Sequence, residues 1–365
     1  MKITKVESIV VNMPMIIEGG VVPTQAGKPR TSIDTLYVRV DTDAGVTGWG
    51  EGFGHRIFSA TKAALDTLVG PQCIGRDPTA LNALADELER NLAGVGRNGP
   101  ALYALSAIDI ALWDIAGKLA GLPLYRLLGG GAREKLPAYA SLLRYAEPRA
   151  VAHHVERALK RGYRHLKLHE IAVPPIKAAR EAAGPDVPIM IDCNCAWPVA
   201  DAIEMAHKLR PFNPHWLEEP VWPPEDHAGL ASVQARGFIP TAAGENATLP
   251  GFKSLFEAGA ITYAQPSVTK VGGVTQLRKV MALADSFGVS VVPHSAYFGP
   301  GLLASIHCIA AMPHPTLVER YDCDFAENPL RDAIMPHADG TLAVPQGPGL
   351  GVEPDPKLLA KLRAG

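Results

Sequence analysis

The sequence of 365 residues lacks the marks of several protein classes. Its 35 basic and 37 acidic residues leave a net charge of −2, so no basic field predicts nucleic acid or an anionic membrane as a partner. The apolar run near the N-terminus is too short for a signal peptide, and we expect no membrane-spanning segment. Only five cysteines are present, with no CxxC pair, which is typical of reduced thiols in a cytoplasmic protein.

The first third of the chain predicts a small domain. Residues 1–55 alternate as antiparallel strands do, and residues 56–128 form amphipathic or apolar helices. We therefore predict an α+β domain over residues 1–125. Within it, residues 18–32 are rich in glycine, proline and polar residues, which indicates a long loop or lid carrying Lys28 and Arg30.

From about Glu134 the pattern changes to alternating strands and helices. Eight strand candidates are separated by seven helical segments, which is the count of a β/α barrel that lacks its last helix. The predicted fold class is therefore α/β, with a modified (β/α)7β TIM-type barrel over residues 126–325. Residues 326–365 are rich in turns, and we expect them to return to the first domain.

Three acidic residues stand at the ends of three successive barrel strands. Asp192, Glu218 and Glu245 each close a short β-prone run, at spacings of 26 and 27 residues, about one strand–helix repeat. The carboxyl ends of barrel strands meet at the rim where such barrels keep their chemistry. Carboxylate ligands without histidine or cysteine suit Mg²⁺ or Mn²⁺ rather than zinc. The spacing therefore predicts a site for Mg²⁺, with Mn²⁺ as the alternative.

Other polar residues end the remaining barrel strands. They are Lys167, His169, Asn194, Ser267, His294 and Glu319. Lys167 and His169 are two residues apart, so both point into the barrel if either does. A dry cationic pocket beside a metal brings the pKa of a lysine or histidine toward that of a general base. By the same alternation, Lys270 is expected to face away from the site and Glu219 to face the helices.

This set of groups suits the removal of a proton next to a carboxylate. A metal and a lysine can hold the carboxylate, and the metal and a protonated carboxylic acid can stabilise the enediolate that forms. His169 and His294 are the candidates for removing and returning protons. Three outcomes remain open: reprotonation on the opposite face, loss of a β-hydroxyl group, and ring opening or closure.

The chain resembles the enolase superfamily and, within it, the mandelate racemase-like group. The matching segments are AIDIALWDIAGK (residues 107–118), EEP at Glu218, GEN at Glu245, KVGGVTQ (residues 270–276), PHS at His294 and LVERYD at Glu319. The resemblance implies a barrel with an α+β capping domain built from the N-terminal segment and the C-terminal tail, which closes over the barrel and selects the substrate. It also implies a homo-oligomer, since members of the family commonly assemble.

The same resemblance implies roles for individual residues. Asp192, Glu218 and Glu245 stand where the family binds Mg²⁺. Lys167 stands where the first lysine of a Lys-x-Lys pair meets the substrate carboxylate, and Asn194 where a residue contacts substrate near the metal.

Four further positions complete the predicted site. His294 stands where the group keeps its seventh-strand base, and Glu319 where an acid hydrogen-bonds the enediolate oxygen. Arg30, in the capping loop, is a candidate for binding the acidic substrate. His169 departs from the pattern, because it replaces the second lysine of the pair; its ordinary pKa is about 6.5 against about 10.4 for lysine.

A second departure concerns the partner of His294. Ser267 replaces the sixth-strand aspartate that would orient the imidazole and stabilise its charged form. The two departures leave the metal chemistry intact, but they leave open whether His169 or His294 is the base.

The predicted function is a Mg²⁺-dependent dehydratase that converts a small carboxylate, an aldonate or aldarate, to a 2-keto-3-deoxy acid. Departure of hydroxide needs a proton donor, which a histidine supplies. The alternative is a racemase, epimerase or cycloisomerase that acts on a hydroxy acid through the same enediolate; the missing aspartate argues against matched bases on both faces. A non-catalytic protein on this fold would have lost ligands, whereas all three metal acids and Glu319 are present.

Overall fold

A computed structural model of the chain describes residues 1–17, 23–25 and 28–364. The N-terminal segment forms an antiparallel sheet, because its alternating apolar residues cover a helical layer with one face. Its strands are β1 (Ile3–Ile16), β4 (Ser32–Thr42) and β5 (Thr47–Gly52), with the short β2 (Thr24–Gln25) and β3 (Lys28–Pro29) between the first two. Strands β1 and β4 pair along almost their whole length.

The predicted loop over residues 18–32 is only partly within the described residues, since residues 18–22 and 26–27 lie outside them. The remainder is not all loop, because β2 and β3 pair as a small antiparallel hairpin. The backbone amide of Thr24 donates to the carbonyl of Arg144 at 3.0 Å, which ties the hairpin to the loop after the first barrel strand.

The helical layer of this domain follows β5. It consists of α1 (Phe58–Ala64), a π-helical turn (Leu65–Val69), α2 (Gly70–Cys73), α3 (Leu81–Asn91), α4 (Pro100–Ala120) and α5 (Leu124–Leu127). Among the described residues, only α4 is long and apolar enough to cross a membrane, and 83% of its apolar window is buried inside the protein. It packs closely on β5, since a Cβ atom on Gly50 would lie 2.0 Å from the carbonyl oxygen of Ala107. We therefore describe α4 as a core helix.

The rest of the chain confirms the predicted barrel. Its parallel strands are β6 (Lys135–Ser141), β7 (Leu166–Leu168), β8 (Ile189–Asp192), β9 (Pro214–Glu218), β10 (Thr241–Ala243), β11 (Tyr263–Ala264), β12 (Ser290–Val291) and β13 (Val318–Tyr321). The intervening helices are α6 (Pro148–Lys160), α7 (Val173–Ala183), α8 (Val199–Leu209), α9 (His227–Gly237), α10 (Leu249–Glu257), α11 (Gly273–Phe287) and α12 (Pro300–Ala310).

The strands pair in the order β12-β11-β10-β9-β8-β7-β6-β13. The gap between β12 and β13 is bridged at the carboxyl end by Ser295, whose amide donates to Glu319 Oε2 at 2.9 Å. Its hydroxyl donates to the Glu319 carbonyl at 3.0 Å. Barrel strands are covered on both faces, which explains their short, mostly apolar runs.

The chain after β13 contains β14 (Asp324–Phe325), β15 (Thr341–Ala343) and α13 (Pro356–Leu362). Strand β14 ends just before the predicted tail and pairs with β1. Within the tail, Glu353 Oε2 accepts a hydrogen bond from the indole of Trp49 at 2.6 Å, so the tail does reach the first sheet. Strand β15 instead pairs with barrel strand β6, a contact that the sequence pattern did not predict.

Candidate active site

Four of the predicted residues form a buried ion cluster inside the barrel. Lys167 on β7 lies with its Nζ 2.7 Å from Glu319 Oε1, 2.9 Å from Glu218 Oε1 and 3.6 Å from Asp192 Oδ2. All four residues are at most 2% exposed. The strand ends bring them together because these positions of β7, β8, β9 and β13 all point into the barrel.

The charges in this cluster depend on one another. Burial raises the pKa of Glu218 to about 7, and the neighbouring charge of Asp192 adds to the effect. Burial also acts to raise the pKa of Asp192 and of Glu319, but several neighbours together outweigh it and hold each pKa at about 2. They are Lys167 and His169 at Asp192, and Lys167, His294 and the Ser295 amide at Glu319. The cluster therefore carries more negative charge than one lysine compensates.

A second group of ions surrounds Glu245, which follows β10. Lys270 Nζ donates to Glu245 Oε1 at 2.8 Å, and His294 Nε2 lies 3.1 Å from Glu245 Oε2. The expectation that Lys270 faces away from the site is wrong. Strand β11 ends at Ala264, and the amide of Lys270 donates to the Ser267 carbonyl in a turn, so strand alternation no longer applies there.

The two candidate histidines have different hydrogen-bond partners at Nδ1. His169 Nδ1 lies 2.5 Å from the carbonyl oxygen of Leu142, and its Nε2 lies 3.3 Å from Asp192 Oδ2. A carbonyl oxygen only accepts hydrogen bonds, so Nδ1 of His169 carries a proton. In the neutral ring, the lone pair is then on Nε2.

His294 is backed by hydroxyl groups where the resemblance implies an aspartate. Its Nδ1 lies 3.3 Å from Ser267 Oγ and 3.3 Å from Tyr297 Oη, and these two hydroxyls contact each other. The sequence analysis identified Ser267 but missed Tyr297. The signal for it was its position, three residues after His294 in the same loop.

Asp192, Glu218 and Glu245 form a donor set that fits a hard divalent cation. Their ligand atoms are carboxylate oxygens, and the raised pKa of Glu218 shows that further positive charge would stabilise the cluster. Among the described residues, no set of three or more acidic, histidine or cysteine side chains is already arranged around a metal position. The carboxylates are instead engaged by Lys167, Lys270 and His294, so metal binding requires these contacts to rearrange.

A cavity of about 250 Å³ lies above these groups. Its barrel side includes His169, Asn194, Glu245, Lys270 and His294, whereas Lys167, Asp192, Glu218 and Glu319 lie deeper. Asn194 is held in place by its Nδ2, which donates to Asp192 Oδ1 at 2.9 Å.

The opposite side of the cavity comes from the capping domain and the barrel loops. It includes Arg30, Phe53, His55, Arg144 and Tyr321. Of these, the sequence analysis identified only Arg30. The others lack a motif, because they reach the cavity through the packing of one domain on the other.

Arg30 lies in this upper wall and is 7% exposed. Its Nη2 lies 2.6 Å from His55 Nδ1, and its guanidinium carbon lies 5.3 Å from the centre of the Tyr321 ring. Burial and the charges of Arg30 and Lys270 lower the pKa of His55 well below its ordinary value. His55 is therefore neutral, and its Nδ1 accepts a hydrogen bond from Arg30.

Known proteins share this architecture along the whole chain. The sequence matches the family described as enolase C-terminal domain-like over residues 150–358, and the mandelate racemase / muconate lactonizing enzyme N-terminal domain over residues 23–129. It is 35% identical to a D-galactarolactone cycloisomerase of Agrobacterium fabrum, over 90% of this chain and 91% of that protein. It is 32% identical to a D-galactonate dehydratase of Ralstonia pickettii, over 89% and 90% of the two chains.

A solved structure has a similar fold over nearly the whole chain. A racemase from Streptomyces coelicolor A3(2) with bound magnesium superimposes with a TM-score of 0.87 at 29% identity. The superposition covers 99% of this chain and 100% of the racemase. Magnesium is therefore found in a protein of this fold and family.

Proposed function

Because the chain is an enzyme of the enolase superfamily, in its mandelate racemase and muconate lactonizing enzyme branch, we propose that it removes the proton next to a substrate carboxylate and then expels an oxygen substituent from the neighbouring carbon. Loss of a hydroxyl group makes the reaction a dehydration, and loss of a ring oxygen makes it a cycloisomerisation. The substrate is a small sugar acid, an aldonate or an aldarate. Relatives named as a sugar-acid dehydratase and as a cycloisomerase support this common first half of the reaction.

Asp192, Glu218 and Glu245 hold Mg²⁺ in this proposal, and Mn²⁺ is the substitute with the same ligand preference. The bound cation supplies Lewis-acid stabilisation of the negative charge that develops on the substrate carboxylate. Lys167 and Asn194 bind the same carboxylate. Lys167 exchanges its contact with Glu319 for the substrate. Without that ammonium group beside it, the buried carboxylate of Glu319 takes up a proton, and the carboxylic acid then donates a hydrogen bond to the enediolate oxygen.

The observation that carries the assignment of roles is the hydrogen bond between His169 and Leu142. It keeps the proton on Nδ1, so the lone pair of neutral His169 is on Nε2, the nitrogen that faces Asp192. His169 is therefore the base that removes the α-proton. His294, backed by hydroxyls that can both donate and accept, is the acid that gives a proton to the leaving oxygen.

Dehydration is the main proposal, because a hydroxyl group leaves as water only when it receives a proton, and His294 supplies that proton in this proposal. Cycloisomerisation is the second candidate. The 35% identity to a cycloisomerase favours it, and it needs no different residues.

The test is an exchange experiment in D₂O with purified protein and Mg²⁺, against a panel of aldonic acids, aldaric acids and their lactones. Proton NMR and mass spectrometry follow the α-hydrogen and the products. A 2-keto-3-deoxy acid formed with loss of water supports dehydration, and an isomer of equal mass from a lactone supports cycloisomerisation. Exchange without either product would favour epimerisation, and the absence of exchange with every acid would refute the proposal.

We also infer that the enzyme is a cytoplasmic homo-oligomer that binds neither nucleic acid nor membrane. The five free cysteines support the cytoplasmic location, and the near-zero net charge supports the absence of nucleic acid and membrane partners. Membership of the family supports the homo-oligomer. Light scattering after size-exclusion chromatography measures the oligomeric state, and a monomer at micromolar concentration would contradict it.

A further inference from the structure

The cavity above the carboxylates has cationic groups at two opposite ends. At the barrel end, Lys270 and His294 contact Glu245, and His169 contacts Asp192. At the other end, Arg30 of the capping domain and Arg144 of the loop after β6 line the same space. A substrate with one carboxylate accounts for the charges at the barrel end but leaves the two arginines unexplained.

Arg30 is a buried cation with no acidic partner. Among the described residues, no carboxylate lies within ion-pair distance of its guanidinium group, and its polar side-chain contact is with neutral His55. A buried charge that is not paired destabilises a protein, so such a position indicates a group that binds from solution. The planar fork of an arginine matches a carboxylate or a phosphate with two parallel hydrogen bonds.

Arg144 is fixed in the same wall. Its carbonyl oxygen accepts the hydrogen bond from the amide of Thr24, on the hairpin that leads to Arg30. The amide of Arg30 in turn donates to the carbonyl of Pro23 at 2.8 Å. Two arginines from different domains are thus connected through backbone hydrogen bonds, and both line the cavity into which an anion would bind.

Resting on the proposed function, we propose that the substrate is a diacid, an aldarate or the lactone of one, whose distal carboxylate binds Arg30 and Arg144 while the carboxylate at the barrel end reacts. The distal group lies away from the reacting carbon, so its role is to select and align the substrate. A monocarboxylic aldonate would leave Arg30 without an anionic partner, whereas Arg144 still has the charge of Glu170 nearby.

The experiment compares matched acids on the Mg²⁺-loaded enzyme. For each sugar configuration, kcat/KM for α-deuterium exchange and for product formation is measured with the aldarate, the aldonate and the aldonate phosphorylated at its terminal hydroxyl. We expect the best aldarate or its lactone to exceed its matched aldonate by at least about 100-fold, since a buried charge-assisted pair that is lost costs about this much. The variant Arg30→Met should reduce this ratio at least tenfold, and Arg30→Lys should restore part of it.

Lys28→Met is the matched control, because it removes a positive charge from the same hairpin at an exposed position outside the cavity. It should leave the ratio of aldarate to aldonate unchanged. Equal rates with aldarates and aldonates, a preference for the phosphorylated acids, or an equal loss in Lys28→Met would overturn the diacid proposal while the proposed chemistry stands. The absence of α-exchange with every acid would instead refute the proposed function itself.

Discussion

On one side of the site, His169 and Lys167 face Asp192; on the other, His294 and Lys270 face Glu245. Each side thus contains a histidine whose Nε2 approaches a candidate metal ligand and a lysine paired with the same carboxylate. The sides differ in what lies behind the imidazole, which is a backbone carbonyl for His169 and a pair of hydroxyls for His294.

In the proposed mechanism, this difference gives the two histidines different roles in one site. The carbonyl cannot donate, so it fixes the tautomer of His169 and makes its Nε2 a base in every neutral state. The hydroxyls can rotate to donate or accept, so His294 can release a proton from Nε2 and recover it after the reaction. The comparison therefore predicts that substitutions on the two sides impair different steps of the reaction.

The largest effect is expected for His169→Gln, which removes the proposed base. We expect α-deuterium exchange to fall by about 10³-fold, since a general base contributes about 10²–10⁴ in rate. His294→Gln should lose product formation to a similar degree but retain exchange, because the α-proton is still removed. Both are measured by NMR in D₂O on the best substrate, with exposed His153→Gln as the control. If both site variants lose exchange equally, the two sides do not differ as proposed.

The two lysines test the same comparison through their contributions to the free energy of unfolding. Lys167 contacts three buried carboxylates, so Lys167→Met should reduce the free energy of unfolding by about 3 kcal/mol in Mg²⁺-free buffer. Lys270→Met should cost only about 1 kcal/mol, because Glu245 keeps its contact with His294. Urea denaturation measures both values. Added Mg²⁺ should recover most of the loss in Lys167→Met, and equal losses in the two variants would contradict the comparison.

A histidine outside the site shows what burial does without a carboxylate nearby. His307 on α12 accepts a hydrogen bond from the Tyr125 amide at 3.3 Å and donates one to the Leu350 carbonyl at 3.1 Å. Burial lowers its pKa to about 4, so between pH 6.5 and 4 the unfolded chain binds a proton that the folded chain does not. Stability therefore falls as pH falls through this window.

We expect this histidine to account for a loss of about 2 kcal/mol between pH 7 and pH 5. The measurement is urea unfolding of the native protein and of His307→Gln at both pH values. The variant should be less stable at pH 7 but lose less on acidification. An unchanged pH dependence in His307→Gln would show that other groups control the acid stability.

The sequence alone predicted the barrel and much of the site, for a physical reason. Strands buried on both faces give short apolar runs, and the polar residues that end them must lie at one rim, as Asp192 and Glu218 do. Lys270 was misassigned because β11 ends before it and the chain turns. Arg144 and His55 were missed because their place in the cavity depends on how the capping domain sits on the barrel, which leaves no local pattern.

The smallest predicted effects concern the hydroxyls behind His294. Tyr297→Phe removes one of the two groups at Nδ1, and we expect about a tenfold loss of kcat for product formation with KM unchanged, because the acid is less well oriented. Exchange catalysed by His169 should be nearly unaffected. A change in KM alone would indicate that Tyr297 acts on substrate binding instead.

The double variant Ser267→Asp, Tyr297→Phe would make the two sides alike. A carboxylate behind His294 fixes a proton on Nδ1 and makes Nε2 basic, as the Leu142 carbonyl does for His169. With His169 in place, His169 removes the α-proton from one face and His294 can return a proton to the other face, so this double variant should form the epimer of the substrate about tenfold faster than the native protein does. Chiral analysis of the recovered acid detects it. If no additional epimer forms, the hydroxyl pair is not what keeps His294 from acting on the α-carbon, and the difference between the sides must come from the position of the substrate.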